Sequence, residues 1–150
     1  MPQALHRKIL VVDDEPKVRK LLKDFLEMER FDVVEASRGD AAISKAQAFH
    51  PDLILLDVLL PGGLDGLQTY YRLKGKSSTR RIPIIFVTAT EPRGSVMRSQ
   101  LPLGERCAVV GKPFRFETLL QEIRRLLGEV GHPLNSGPQS GTLNIKNRPQ

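Results

Sequence analysis

Only one cysteine, Cys107, occurs in the 150 residues, so no internal disulfide can form. A lone thiol fits a reducing compartment. Its place in the apolar stretch Cys107-Ala108-Val109-Val110 reads as a small core residue. No apolar run reaches the roughly 18 residues that a membrane-spanning helix needs. The start, Met1 to Lys8, lacks the separate apolar region and small-residue cleavage site of a signal peptide. These absences lead to the expectation of a cytoplasmic protein that does not engage a membrane. The net charge of +6 raises the question of a polyanionic partner. The basic residues, however, are spread along the chain, from Arg19, Lys20 and Lys23 through Arg72, Lys74, Lys76, Arg80 and Arg81 to Arg124 and Arg125. No helix-turn-helix, zinc-finger spacing or aromatic RNA-binding motif accompanies them, and direct nucleic-acid binding is not expected.

What the chain does have is an apolar run bounded by breakers, Pro51 to Leu60, followed by Pro61-Gly62-Gly63. It is too short to cross a bilayer and reads as a strand buried on both faces. Asp57 closes that strand, where a carboxylate is costly to desolvate unless cations or donors meet it. Around it, strand-like runs alternate with helical spacing. Lys8 to Val12 ends in Asp13-Asp14-Glu15, and Pro16 then suits the first turn of a helix carrying Val18, Leu21, Leu22, Phe25 and Leu26. Charged residues including Arg19 fill the rest of that helix, as a solvated face. Phe31 to Ala36 is a second strand, and Asp40 or a neighbour is expected to cap the helix bearing Ala42, Ile43, Ala46 and Phe49. After Asp57 come a helix over Leu67 to Lys74 and a strand from Ile82 to Val87 that ends at Thr88-Ala89-Thr90. A short helix is expected over Ser95 to Leu101, then a strand over Ala108 to Val110 closed by Gly111-Lys112-Pro113, and an amphipathic helix from Phe116 to Leu127. One folded domain is expected over residues 1–128. Residues 129–150, rich in breakers and poor in apolar side chains, read as a disordered tail or linker.

Five strand–helix alternations demand parallel pairing through right-handed crossovers, hence an α/β fold: a doubly wound five-stranded parallel sheet with helices on both faces. A parallel sheet gathers its strand ends at one edge. Here those ends carry Asp13 and Asp14, then Asp57, Thr88 and Lys112. Three carboxylates together repel one another, raising pKa values or recruiting a cation. Oxygen donors without clustered histidine or thiol suit Mg²⁺. An ammonium and a hydroxyl beside them suit attack by a carboxylate on a phosphoryl group.

With those residues in view, the chain resembles the receiver domain of two-component response regulators. The matching motifs are Val-Val-Asp-Asp-Glu at 11–15, Asp-Leu-Ile-Leu-Leu-Asp at 52–57, Val-Thr-Ala at 87–89 and Lys-Pro-Phe at 112–114. The resemblance implies a flavodoxin-like sheet of strand order 2-1-3-4-5. It implies that Asp57 accepts a phosphoryl group from a sensor histidine kinase or phosphotransfer protein. Asp14 would bind Mg²⁺ directly and Asp13 through water, with Asp57 and the Leu59 carbonyl completing the protein's share. Lys112 would pair with the phosphoryl oxygens, Thr88 would move to bond one of them, and small Ala89 would leave room for the group. The stretch after Leu127 is too short for a second folded domain, so the output would pass to a downstream effector protein, or the chain is a fragment of a longer regulator whose effector has been removed.

Three departures from the family pattern stand out. The loop Pro61 to Gly66 is one residue longer than the common version. Val109 occupies a position that is usually aromatic and whose ring reports the threonine movement. The segment from Thr88 to Lys112 is about two residues longer and rich in Pro and Gly. Apolar Leu59, which cannot place a hydrolytic water, suggests slow loss of the phosphoryl group. The competing readings are a docking module on the same fold that works without phosphorylation, a metal-dependent phosphohydrolase, and a DNA-binding regulator that has lost its effector.

Overall fold

A computed structural model describes residues 6–89, 101–102, 104 and 106–129. Within it the elements run β1 (Lys8–Val12), α1 (Pro16–Met28), β2 (Asp32–Ala36), α2 (Gly39–Phe49), β3 (Leu53–Asp57), α3 (Gly66–Lys74), β4 (Ile84–Ala89), β5 (Cys107–Lys112) and α4 (Phe116–Leu126). The strands form one five-stranded sheet of order β2-β1-β3-β4-β5, paired in parallel throughout. The doubly wound, flavodoxin-like architecture is therefore as expected.

Strand alternation splits the core in two. Ile9, Val11, Leu53, Leu55, Ile85 and Val87 face α1 and α4, which supply Leu22, Leu26, Leu119 and Ile123. Leu10, Val12, Ile54, Leu56, Ile84 and Phe86 face the other way, against Ala42 and Ala46 of α2 and Leu73 of α3. The small alanines let α2 lie close to the sheet. Every residue of β3 is buried, and each fully buried Leu or Ile contributes on the order of 1.5–3 kcal/mol. Phe25 of α1 stacks on Phe116 of α4 with ring centroids 4.2 Å apart, joining the two helices of one layer. Cys107 is buried, and burial pushes its thiol up to about 11, so it behaves as an inert core residue.

Some local expectations need correction. Asp40 does not cap α2. The helix opens at Gly39 after Arg38, whose side chain makes no cap bond, and Asp40 lies inside the first turn, where it accepts from the Ala41 amide. Gly39 can stand there because a Cβ would lie 2.2 Å from Thr69 Oγ1. Phe31 and Ile82 precede their strands rather than opening them, while β5 extends beyond Ala108–Val110 at both ends. The helix expected over Ser95 to Leu101 falls outside the described residues, apart from Leu101. So does residue 130 onward. No described helix is long and apolar enough to cross a membrane.

Chain order determines where a site can form. From β1 the chain moves outward to β2, then crosses back to β3 on the other side of β1, so the order reverses between β1 and β3. Val12 pairs with Leu56, which makes Asp13 and Asp57 the next residues on two adjoining strands. The crevice outside such a reversal is where ligands bind in open parallel sheets. α3 is pressed against this edge through Gly66. Its amide donates to the Val58 carbonyl at 2.9 Å, and a Cβ on it would come within 2.3 Å of the Asp57 carbonyl oxygen and 2.6 Å of Val58 Cα. Those neighbours are backbone and cannot swing aside. Gly66→Ala is expected to lower stability by about 2 kcal/mol or more, measured by urea denaturation.

Candidate functional site

Lys112, at the end of β5, sends its ammonium across the sheet edge. Its Nζ lies 2.8 Å from Asp13 Oδ2 and 3.4 Å from Asp57 Oδ2. Asp13 and Asp57 are buried, whereas Asp14 is exposed, and the three carboxylates offer oxygens within 4.8 Å of one another. Four of the residues marked out by the sequence thus meet at one place, contributed by the ends of three strands.

Each carboxylate is held differently. Asp13 is bonded at every polar atom. Its amide donates to the Ala36 carbonyl at 3.1 Å, its Oδ1 accepts from the Glu15 amide at 2.9 Å, and its Oδ2 accepts from Lys112. Its carbonyl accepts from Arg19 Nη1 at 2.7 Å. Asp57 Oδ1 accepts from the Leu59 amide at 3.1 Å, so the chain turns sharply after the strand and Leu59 stays beside the carboxylate. Burial pushes the Asp57 carboxyl up to about 6, and Asp13 adds to the rise, while the Lys112 ammonium and the Leu59 amide oppose it. Burial alone would lower Lys112. The bond to Asp13 and the charges of Asp57 and Asp13 outweigh that, leaving the ammonium above its ordinary value and charged.

Thr88 and Ala89 occupy the end of β4, paired in register with Gly111 and Lys112. Thr88 Oγ1 is buried and has no hydrogen-bond partner among the described residues. An orphaned buried hydroxyl costs about 1–3 kcal/mol and calls for an explanation. The loop after β3 carries Gly62 and Gly63, both at positive φ (60° and 76°), a conformation that glycine adopts without strain. The Arg38 guanidinium lies alongside, 3.8 and 3.7 Å from where their Cβ atoms would stand. Val109 is partly buried against the α2–α3 core cluster, to which Tyr70 also contributes. Tyr70 lies 5.5 Å from Phe86, and Lys74 stands 5.4 Å over its ring.

One residue beside the acidic loop carries no clear signal in the sequence. Arg19, assigned there to a solvated face, is only 18% exposed and points back toward the acidic loop. A carbonyl partner leaves no mark in a sequence. The only available hint was the position of Arg19, a little over one turn beyond Asp14.

Chemically, the site offers three hard oxygen donors and no clustered nitrogen or sulfur. That set fits a divalent cation such as Mg²⁺. It also holds one carboxylate flanked by an ammonium, an arrangement able to take an anionic electrophile.

Known proteins resemble this chain in sequence and fold. The family model described as the response regulator receiver domain matches residues 9–124. The transcriptional regulatory protein ResD of Bacillus subtilis is 45% identical over 145 residues, 97% of this chain and 58% of ResD. The phosphate regulon transcriptional regulatory protein PhoB of Escherichia coli is 37% identical over 124 residues, 83% of this chain and 53% of PhoB. The chain therefore spans a little over half the length of these curated relatives. Among solved structures, the receiver domain of sensor histidine kinase PA1611 from Pseudomonas aeruginosa, with a magnesium ion coordinated in its active-site cleft, is 27% identical. Its TM-score is 0.73, and the match covers 83% of this chain and 99% of that one.

The raised Asp57 value carries a consequence for stability. Its folded pKa of about 6 lies above the ordinary 3.8, so the folded chain favours the protonated acid. That advantage is complete below about pH 3.8 and is lost as pH rises through about 6. In metal-free buffer, Asp57→Asn is expected to match the parent near pH 4 and to exceed it by up to about 3 kcal/mol at pH 8, read from urea melts across pH.

Proposed function

Since the chain belongs to the response regulator receiver domain family, we propose that it is a signalling switch in which Asp57 accepts a phosphoryl group from a phosphohistidine. The observation that carries this reading is Lys112 Nζ, within reach of carboxylates on two other strand ends that themselves lie close to Asp14. A lone pair on an Asp57 carboxylate oxygen attacks phosphorus in line; each of the two oxygens accepts a single hydrogen bond from the described residues. The P–N bond of the donor breaks, its electron pair returns to the imidazole nitrogen, and that nitrogen takes a proton from solvent. Lys112 pairs with the oxygens of the transferred group, a role supported by its retained charge. Asp13, Asp14 and Asp57, with the Leu59 carbonyl, are the residues that would hold Mg²⁺, which when bound supplies charge neutralisation on the transferring oxygens.

Thr88 is the residue through which the transfer would be felt. Its hydroxyl, without a hydrogen-bond partner among the described residues, is a donor suited to an arriving phosphoryl oxygen. The small side chain of Ala89, next to it and opposite Lys112 in register, keeps the approach open. Output passes by protein contact to a downstream effector, in a cytoplasmic setting, with a sensor histidine kinase or phosphotransfer protein upstream. The folded unit is taken as residues 1–128, with 129–150 as tail or linker. Apolar Leu59 beside the acceptor supports slow hydrolysis of the phosphoryl group.

Two experiments test this. Incubation with Mg²⁺ and a small phosphodonor such as phosphoramidate is expected to add one phosphoryl group by intact mass, lasting well beyond seconds. Asp57→Asn should show none. An unmodified parent chain would instead favour a docking module that works without phosphorylation. Separately, Thr88→Val should stabilise the unmodified chain by about 1 kcal/mol, because it removes a buried orphan without opening a cavity. It should also shrink the extra stability gained with Mg²⁺ and beryllofluoride, with both effects read in urea melts.

A further inference from the structure

The acidic loop after β1 is held from a side that the transfer chemistry does not use. Arg19, on the second turn of α1, donates from Nη1 to the Asp13 carbonyl at 2.7 Å and from Nε to Glu35 Oε1 at 3.0 Å. Glu35 belongs to β2, where it pairs in register with Val11. Its own carbonyl accepts from Lys45 of α2. One guanidinium thus links the loop of the acidic pair to the neighbouring strand, and a second helix braces that strand. Arg19 is 18% exposed and Glu35 34%, so the pair is partly shielded from solvent.

The consequence falls on Asp13. With its carbonyl fixed by Arg19 and its amide by Ala36, the peptide planes on either side of Asp13 have little freedom. Its carboxylate is then aimed at Lys112. Asp14, exposed and with no hydrogen bond to its carboxylate among the described residues, remains free to adapt. The planar, always-charged fork of arginine presents its donors in a fixed geometry that suits a partner set of one carbonyl and one carboxylate, whereas a lysine ammonium is a compact point charge on a flexible stem. Its charge also offsets repulsion among three crowded acids.

We propose that Arg19, oriented by Glu35, is a positioning residue that presets the acidic pair for a divalent cation. The proposal rests on the function proposed above and names a residue of the same site. Groups that orient metal ligands from behind typically change metal affinity 10- to 100-fold when removed. The test is the Mg²⁺ dissociation constant of the whole chain, measured by calorimetry without phosphodonor, for the parent, Arg19→Met, Arg19→Lys, Glu35→Ala and Leu26→Val. Leu26 is a buried α1 residue of the core, so its variant reports what simple destabilisation does to binding. Arg19→Met is expected to weaken Mg²⁺ by about 10-fold. Arg19→Lys should recover part of the loss, and Glu35→Ala, which leaves Arg19 in place but unheld, should lie between parent and Arg19→Met. Leu26→Val should bind as the parent does. If Arg19→Met does not fold, the Glu35→Ala and Arg19→Lys values decide. Parent-like binding by the Arg19 and Glu35 variants, or a loss equal to that of Leu26→Val, overturns the assignment while leaving phosphoryl acceptance at Asp57 standing. A parent chain that neither binds Mg²⁺ nor takes a phosphoryl group overturns both.

Discussion

An ammonium held between two buried carboxylates is the interaction on which this molecule turns. Lys112 lies 99 positions from Asp13 and 55 from Asp57 in sequence, yet it bonds to both. Without it, two acids would stand side by side in a largely buried crevice, and their repulsion would oppose closing the sheet edge. With it, one positive charge ties β5 to β1 and β3 across the intervening β4. The same charge draws negative groups toward the crevice. Stability and chemistry therefore share one contact, and that contact leaves the site short of full satisfaction. Asp57 is still pushed up to about 6, and the Thr88 hydroxyl is still without a partner among the described residues. A cation and an incoming oxyanion would answer both deficits at once.

The sheet makes this contact possible by its order rather than by any special loop. Because the chain reverses direction across the sheet between β1 and β3, the two acidic ends adjoin while the connecting segments leave by opposite routes. α1 and α4 cover one face and α2 and α3 the other. The helices adjoining the crevice serve it from behind. α3 approaches through a glycine at the chain just after Asp57, and α1 sends Arg19 to the acidic loop. The crevice itself is left to the side chains at the strand ends.

Much of this was readable in the sequence, for identifiable reasons. Four of the five strands, β1, β3, β4 and β5, are largely apolar runs that stop at a residue with chemistry. The order of Asp13, Asp14, Asp57, Thr88 and Lys112 therefore carries both topology and site. What escaped notice lacks a side-chain signature. Arg19 reads as one more charge on a helix whose apolar stripe is clear, because its decisive partner is a backbone oxygen. Gly66 and Gly39 read as loop residues, although their value lies in atoms that are missing where backbone or Thr69 crowds in. Asp40 reads as a cap because capping depends on a boundary placed to within a single residue, and Arg38–Gly39 moved it.

A further consequence attaches to β3. Its apolar residues Leu53 to Leu56 are alike on both sides of the sheet and all buried, so hydrophobicity alone tells the strand little about how far it should slide along its neighbours. Shifted one place inward, the strand would put a carboxylate in the hydrocarbon interior. Shifted one place outward, it would leave Val58 in water and take Asp57 away from its ammonium. Asp57 thus acts as the stop that indexes the central strand, and a chain altered there loses a marker of alignment.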